Sequence, residues 1–142
     1  KSLISKLKAS NITILGDEAT SQFDEIEAFE SDAIWYEEFL DYKIVIGEVD
    51  SNEDTIAMIN KYSGGHSSVI VTSNEAEAKL FMENVDTAAV YHNASTRFTD
   101  GGQLGLGGEL AISTDKLHQR GPIGLQHLVT NKWYVHGNGQ IR

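Results

Sequence analysis

One arginine in a polar, glycine-rich stretch is the residue of this sequence best suited to binding an anion. Arg97 follows the apolar run TAAVYHN and precedes the glycine-dense run TDGGQLGLGGEL. Its planar guanidinium can donate paired hydrogen bonds to a carboxylate or phosphate. Asn93, Ser95 and Thr96 add short polar side chains, and glycine backbone N–H groups can also face an anion. These residues predict an anion-binding loop. The alternative is that Arg97 pairs with an acid and the glycines only turn the chain.

Two adjacent carboxylates form a second candidate. Glu37 and Glu38 lie among aromatic residues in WYEEFLDY, where they could accept hydrogen bonds from sugar hydroxyls. The alternative, which composition alone favours, is that both belong to a solvated acidic face. A further basic residue, Arg120 in HQRGPIGL, is interpreted as structural.

Residue content and spacing exclude several kinds of chemistry. The 142 residues contain no cysteine, which excludes disulfides, thiolate metal sites and a cysteine nucleophile within them. None of the five histidines forms an i,i+4 pair, so no local zinc site is predicted. The glycine run lacks the spacing of the dinucleotide fingerprint, and neither a phosphate loop of the GxxxxGK[ST] type nor a Gly-x-Ser-x-Gly elbow is present. We therefore predict no metal site and no catalytic residue in this chain.

The charge pattern limits the partners. The net charge is −10, and most of the acidic residues lie within residues 17–54, where Lys43 is the one base. Nucleic acid needs clustered Lys and Arg, so it is excluded as a partner. The acidic run is interpreted as a solvated face, with a docking surface as the alternative. No apolar run is long enough to span a bilayer and no leader is visible, which predicts a cytoplasmic protein without membrane contact.

Strands and helices alternate along the chain. NITIL, KIVIGEV, SSVIVT and TAAVYHN have strand character. Ser51 caps one predicted helix, and Asn74 with Glu77 resembles a capping box at the start of the next. Residues 16–33 are predicted to be mostly loop, GLQHLV helical, and NKWYVHG a strand. This alternation predicts an α/β fold with a mainly parallel sheet and flanking helices. The polar loop 93–97 would then lie beyond the carboxyl end of a strand, where such sheets bind ligands.

The long stretch NASTRFTDGGQLGLGGELAISTDKLHQRGPIGL resembles the C-terminal signature of the gamma-glutamyl phosphate reductase family, also called glutamate-5-semialdehyde dehydrogenases, in the aldehyde dehydrogenase superfamily. It is also similar to the matching domain of bifunctional pyrroline-5-carboxylate synthetases. GDEAT, WYEEFLDYKIVIGEVDS, INKYSGGHSSVIVT and the closing GNGQIR extend the resemblance over nearly the whole chain. It implies an aldehyde-dehydrogenase-like catalytic domain over residues 1–128, lacking the nucleophile segment. Residues 129–142 would be a C-terminal oligomerisation strand and tail.

The resemblance also implies a reaction. Members of the family reduce gamma-glutamyl phosphate to glutamate-5-semialdehyde with NADPH in proline biosynthesis, using a cysteine thiolate that forms a thioester as phosphate leaves. That cysteine and most of the NADPH site would lie in an N-terminal part absent from these residues, so the chain alone is expected to be inactive. A homo-oligomer is implied, with glutamate 5-kinase as a further partner. Trp133, Tyr134 and Val135 are expected to be exposed here and covered in a dimer.

The resemblance also implies binding roles for individual residues of this chain. Glu38 matches the glutamate that binds the nicotinamide ribose, although Leu40 stands where the superfamily usually has phenylalanine. NASTRF matches the rim of the substrate pocket, which assigns Asn93, Ser95, Thr96 and Arg97 to substrate binding, with Arg97 meeting the carboxylate or the phosphate. Two alternatives stay open: another aldehyde or acyl-phosphate dehydrogenase of the superfamily, or a non-catalytic α/β module that binds partners through its acidic face.

Overall fold

The computed structural model describes residues 2–23 and 26–142, so Asp24 and Glu25 of the acidic run lie outside the described residues. The helices are α1 (Ser2–Ala9), α2 (Asn52–Tyr62) and α3 (Glu75–Asn84). The strands are β1 (Thr13–Gly16), β2 (Glu27–Ala28), β3 (Lys43–Ile46), β4 (Ser67–Ile70), β5 (Ala89–His92), β6 (Ala111–Ser113) and β7 (Gly121–Ile123). Within the predicted loop 16–33, the structure places a single 3₁₀ turn, Thr20–Gln22, and the short strand β2, and a second 3₁₀ turn spans Asp32–Tyr36.

The main strands pair in parallel, as predicted. β1 lies between β2 and β3, and β4 pairs with β5. Parallel neighbours need a crossover of a dozen or more residues, and α3 fills the crossover between β4 and β5. β6 and β7 form an antiparallel pair that the sequence analysis did not predict.

Both predicted helix caps form. The Ser51 hydroxyl accepts a hydrogen bond from the Asp54 backbone N–H at 3.0 Å, and the Asn74 side chain accepts from the N–H groups of Ala76 and Glu77. The predicted capping box is only half correct, because Glu77 does not return to the Asn74 backbone. Its carboxylate instead accepts from the Asn52 side chain at 2.7 Å, which joins the first turns of α2 and α3.

The core lies where α2 and α3 pack on the β4–β5 pair. Phe81 is 1% exposed and packs with Ile56 and Val85, and partly buried residues of both helices and both strands surround this cluster: Ile59, Ile70, Leu80 and Val90. The apolar positions of both helices recur at helical spacing, so each helix turns one stripe to the strands. This packing fixes the carboxyl end of β5 and the loop that follows it.

Asp17 joins the carboxyl ends of β1 and β3. One carboxylate oxygen accepts from the Thr20 N–H at 2.8 Å and from the Thr20 hydroxyl at 2.7 Å, and the other accepts from the Glu48 N–H at 2.8 Å. Partial burial opposes ionisation, but these hydrogen bonds outweigh it and hold the pKa of Asp17 below its ordinary value of 3.8. Ionised Asp17 therefore stabilises the fold above about pH 4, and this contribution is lost as pH falls through the lowered pKa.

We expect Asp17→Asn to lower the free energy of unfolding by about 1–3 kcal/mol at pH 7, because one amide face would present a donor to an N–H that needs an acceptor. The difference from the parent should shrink as pH falls from 7 toward 3, because the parent carboxyl loses its charge as pH approaches the lowered pKa of Asp17. Urea denaturation at both pH values measures it. A difference that stays constant with pH would contradict this role for Asp17.

The β6–β7 hairpin is fastened to the rest of the chain by a charged contact. Arg120 donates to the Asp86 carboxylate at 2.8 Å and to the Asp86 backbone carbonyl at 2.9 Å, and Lys116 also pairs with this carboxylate. The hydrogen bonds from Lys116 and Arg120 lower the pKa of Asp86. Gly65, with φ +81°, lies next to the Arg120–Asp86 contact. A Cβ at Gly65 would meet Thr114 and Arg120 at van der Waals distance. The structural interpretation of Arg120 is confirmed.

Near the C-terminus the described chain has little regular structure. GLQHLV is helical only as a short 3₁₀ helix at Leu125–Leu128, and residues 129–142 form no strand within the described chain. A strand requires a hydrogen-bonding neighbour, and no described segment supplies one to NKWYVHG. Trp133, Tyr134 and Val135 are 86%, 74% and 89% exposed, as expected; their cover in a dimer stays a prediction. Among the described residues, the helices are too short or too polar to cross a membrane.

Candidate functional site

The first part of the candidate site is the segment that carries Glu38. Ser31 caps the 3₁₀ turn Asp32–Tyr36, and the chain then becomes extended at Glu37. The segment ends at Leu40, whose φ of +48° turns the chain toward β3. Glu37 and Glu38 are both exposed, and neither carboxylate makes a hydrogen bond or an ion pair with a described residue. Both carboxylates are thus free to accept hydrogen bonds from a ligand.

These carboxylates line a cavity of about 680 Å³, which we call the Glu38 cavity. Aromatic side chains form much of its wall: Trp35, Tyr36 and Tyr62. The rings of Tyr36 and Tyr62 make an edge-to-face contact with centroids 4.7 Å apart, and Trp35 packs edge-on against Phe29 at 5.3 Å. Such contacts restrict the rings and give the cavity rigid, partly apolar walls beside its polar groups. Its volume lies in the range of small-molecule sites.

Basic groups also face the Glu38 cavity. Lys61 and His66 line it, at the end of α2 and at the start of β4. A hydrogen bond from Lys61 to the Tyr62 hydroxyl at 2.6 Å raises the pKa of Lys61, so the ammonium stays charged at neutral pH. The cavity therefore offers acceptors on the Glu37–Glu38 segment and donors on the α2–β4 turn. The sequence analysis did not identify Lys61 and His66 as candidate site residues. The glycine pair after α2 was the available signal for them, because it lets the chain turn back toward the Glu38 cavity.

The second part is the loop after β5. Asn93 has a φ of +52°, and its amide makes two hydrogen bonds to the backbone of Thr72: Oδ1 accepts from the N–H at 3.0 Å and Nδ2 donates to the carbonyl at 2.8 Å. Thr72 follows β4, so Asn93 joins the loops at the carboxyl ends of both strands. Both polar atoms of the amide form hydrogen bonds within the protein, so Asn93 stabilises the conformation of this loop.

Arg97 is held at the surface of this loop. The Ser95 hydroxyl accepts from the Arg97 N–H at 3.2 Å and caps the 3₁₀ turn Thr96–Phe98, with Thr96 half-buried. The Arg97 side chain is exposed and its guanidinium makes no hydrogen bond or ion pair with a described residue. The alternative in which Arg97 serves an internal ion pair finds no support in the described residues.

A backbone N–H group of the glycine-rich loop binds a carboxylate of the same loop. The Gly101 N–H donates to the Glu109 carboxylate at 2.7 Å, so this N–H is already paired within the loop. The turn is closed further by hydrogen bonds from Leu104 and Leu106 to the carbonyls of Asp100 and Gly101. Gly105 and Gly107 adopt φ values of +73° and +82°, a conformation that favours glycine. Here the glycines turn the chain around Glu109.

Glu38 and Arg97 share none of the four cavities described here. Besides the Glu38 cavity, three cavities of about 600, 280 and 450 Å³ border α2, and Asn93, Ser95, Thr96 and Arg97 line none of these four. The described residues contain no group of three or more His, Asp or Glu that could hold a metal ion. The two candidate segments thus present separate polar surfaces on one α/β scaffold.

Parallel strand pairs with flanking helices define an α/β domain, and the aromatic cavity and the polar loop at the carboxyl ends of two strands are features typical of ligand-binding α/β domains. Comparison with known proteins gives a narrower assignment. The profile of the aldehyde dehydrogenase family matches residues 29–133, and the chain belongs to this family. This confirms the predicted aldehyde-dehydrogenase-like α/β fold.

The similar proteins carry one name. The chain is 51% identical over 142 residues to the gamma-glutamyl phosphate reductase of Dictyoglomus thermophilum, covering 99% of this chain and 34% of that protein. Identity to the Clostridium botulinum protein of that name is 46% over 140 residues, again covering 34% of it. The crystal structure of the Thermotoga maritima protein of that name superposes with a TM-score of 0.91 at 42% identity, over 99% of this chain and 34% of that one. The chain thus spans about a third of the length of these relatives.

Proposed function

We propose that this chain is part of an enzyme that reduces gamma-glutamyl phosphate to glutamate-5-semialdehyde with NADPH, releasing phosphate, in proline biosynthesis. The observation that carries the proposal is the match, along almost the entire chain, to proteins named gamma-glutamyl phosphate reductase. Family membership makes a nicotinamide-dependent oxidoreductase the coarser form of the same proposal. The choice of NADPH and of this substrate are its finer parts.

The Glu38 cavity fits part of a nicotinamide cofactor. The paired carboxylates have no partner among the described residues, and the adjoining aromatic walls suit a ring or a sugar face. In the proposed enzyme the Glu38 carboxylate accepts hydrogen bonds from ribose hydroxyls and so orients the cofactor. The cofactor supplies the hydride. The exposed Leu40 and Tyr36 beside Glu38 support a larger assembly, since apolar groups of this size are usually covered.

The loop 93–97 is proposed to bind the substrate. Arg97 donates to an anionic end of gamma-glutamyl phosphate, the carboxylate or the phosphate, while the hydroxyls of Ser95 and Thr96 assist and Asn93 holds the loop. Because the 142 residues contain no cysteine, the thiol nucleophile would come from outside them, and we expect them to have no reductase activity alone. Residues 129–142 are proposed to pair in a homo-oligomer, and glutamate 5-kinase is the proposed supplier of substrate.

A substitution in the Glu38 cavity tests the cofactor role. We expect Glu38→Gln in the full-length enzyme, assayed in the reverse direction, to raise the KM for NADP⁺ about tenfold, because a neutral amide is a weaker acceptor for ribose hydroxyls than a carboxylate. The assay follows nicotinamide absorbance as glutamate-5-semialdehyde is oxidised in the presence of phosphate. Glu27→Gln removes the same charge from exposed strand β2 and should leave the KM unchanged. A KM within twofold of the parent in Glu38→Gln would contradict the assignment.

A further inference from the structure

A histidine lines the Glu38 cavity beside the carboxylates and has had no role so far. His66 follows the glycine pair that ends α2 and directly precedes β4. It reaches the cavity together with Thr114 of the β6–β7 hairpin, which the Arg120–Asp86 contact fastens in place. The backbone around His66 is thus fixed on both sides, by the sheet and by the hairpin.

A chain of three hydroxyls orients the imidazole. His66 Nδ1 lies 2.6 Å from Ser67 Oγ, Ser67 Oγ lies 2.7 Å from Thr99 Oγ1, and Thr99 Oγ1 lies 2.8 Å from the Tyr91 hydroxyl. We call Ser67, Thr99 and Tyr91 the hydroxyl chain. Thr99 is only 7% exposed, so its hydrogen bonds are protected from water. Each link is short, and together they fix the orientation of the ring.

The hydroxyl chain also selects which imidazole nitrogen carries the hydrogen. Each hydroxyl has one hydrogen to donate. The Tyr91 hydroxyl has Thr99 as its one hydrogen-bond partner among the described residues, and we infer that it donates its hydrogen to Thr99. Thr99 then donates to Ser67 and Ser67 donates to His66 Nδ1, which makes Nδ1 an acceptor. In the neutral ring the hydrogen is then on Nε2, the nitrogen left available to a ligand.

We propose that His66 donates a hydrogen bond from Nε2 to an oxygen of the cofactor in the Glu38 cavity, and that Ser67 and Thr99 are positioning residues for it. The identity of the ligand rests on the proposed function. Glu38 accepts from the ribose hydroxyls, and His66 adds a donor on the same cavity for an acceptor oxygen of the same molecule. Thr99 directly follows the turn that carries Arg97, so the hydroxyl chain joins the two candidate segments, which share none of the four cavities.

The ligand contact is tested in the full-length enzyme by calorimetric titration with NADPH. We expect His66→Ala to raise the Kd for NADPH about tenfold, and Ser67→Ala and Thr99→Val about threefold each, through loss of one oriented hydrogen bond. His66→Gln should recover most of the loss, because its amide can present a donor near the position of Nε2. In the oxidation of glutamate-5-semialdehyde, the KM for NADP⁺ should rise in parallel with these Kd values while kcat changes little.

The orientation is tested separately by nitrogen NMR of histidine-labelled full-length protein. The parent should show neutral His66 with its hydrogen on Nε2, and Thr99→Val should give a mixture of both tautomers. Thr87→Val is the matched control, because Thr87 is also 7% exposed and its hydroxyl bonds the Ala89 carbonyl outside the hydroxyl chain. It should change neither the tautomer nor the Kd.

Three results would overturn the inference: an Nδ1–H tautomer in the parent, a Kd for NADPH within twofold of the parent in His66→Ala, or a KM change confined to glutamate-5-semialdehyde. A full-length protein that binds NADPH with the expected His66 dependence but reduces no gamma-glutamyl phosphate would refute the proposed function and support this inference. The two failures are therefore distinguishable.

Discussion

Replacing Phe81 by alanine is expected to lower the free energy of unfolding by about 3–5 kcal/mol. Phe81 is 1% exposed and is the largest fully buried side chain of the described residues. It packs against Ile56 and Val85 at the centre of the α2–α3 layer, so its removal loses apolar burial and leaves a cavity that both helices border. Urea denaturation at neutral pH measures the change from the shift of the midpoint.

The neighbouring residue provides the control for this substitution. Met82 follows Phe81 in α3 but is 44% exposed, so Met82→Ala removes a large apolar side chain from a more exposed position of the same helix. We expect it to cost less than about 1 kcal/mol, because alanine favours the helix and little burial is lost. Equal losses in both variants would show that α3 contributes through helix formation alone, and would contradict the placement of the core.

Replacing Arg97 by alanine in the full-length enzyme is expected to lower kcat/KM for glutamate-5-semialdehyde about 10- to 150-fold, which corresponds to about 1.5–3 kcal/mol. The guanidinium is exposed and has no partner among the described residues, so the folded chain has no visible structural use for it. The expected loss is therefore a loss of a contact with the substrate anion. Steady-state kinetics at constant ionic strength measures it.

Two further variants separate contact from overall charge. Lys79→Ala removes another exposed cation, one in α3 that forms a surface pair with Glu83, and should leave kcat/KM nearly unchanged. Arg97→Lys retains the charge but not the planar pair of donors, and should recover only part of the activity. If kcat/KM of Arg97→Ala stays within about threefold of the parent, the proposed role of Arg97 is wrong, and a pocket specific for uncharged aldehydes becomes the better interpretation.

The acidity of the chain bears on this expectation. A net charge of −10 creates a field that repels an anionic substrate at long range, and salt reduces that repulsion. A single unpaired guanidinium at the end of a strand pair provides attraction at short range, where its donors contact the ligand directly. Binding at such a loop should therefore depend on geometry more than on total charge.

Local elements could be predicted because the residues that specify them are close in sequence. Ser51 and Asn74 cap their helices through N–H groups two or three residues away. The strand cores KIVI and SSVI carry branched apolar residues that favour extended backbone. Composition also fixed the absence of a thiol, and the long NASTRF stretch was sufficient to indicate the family.

Elements that depend on a partner distant in sequence were predicted less well. NKWYVHG has strand-forming residues but no described neighbour to pair with, so it remains without strand pairing. Glu77 has the spacing of a capping box, yet the Asn52 side chain, 25 residues away, takes its carboxylate. In both cases a contact distant in sequence, or its absence, overrides the local preference.

The sequence by itself determined the order of the main helices and strands, the parallel pairing of the main strands, the acidic composition and the family, since these follow from short-range patterns and composition. Only the tertiary structure decided which side chains meet: Asp17 with the Glu48 backbone 31 residues on, Arg120 with Asp86 34 residues back, and Thr99 with Ser67. These contacts depend on how α2, α3 and the hairpin pack together. Hydrogen bonds act over about 3 Å, so only the folded backbone can bring such distant residues within reach.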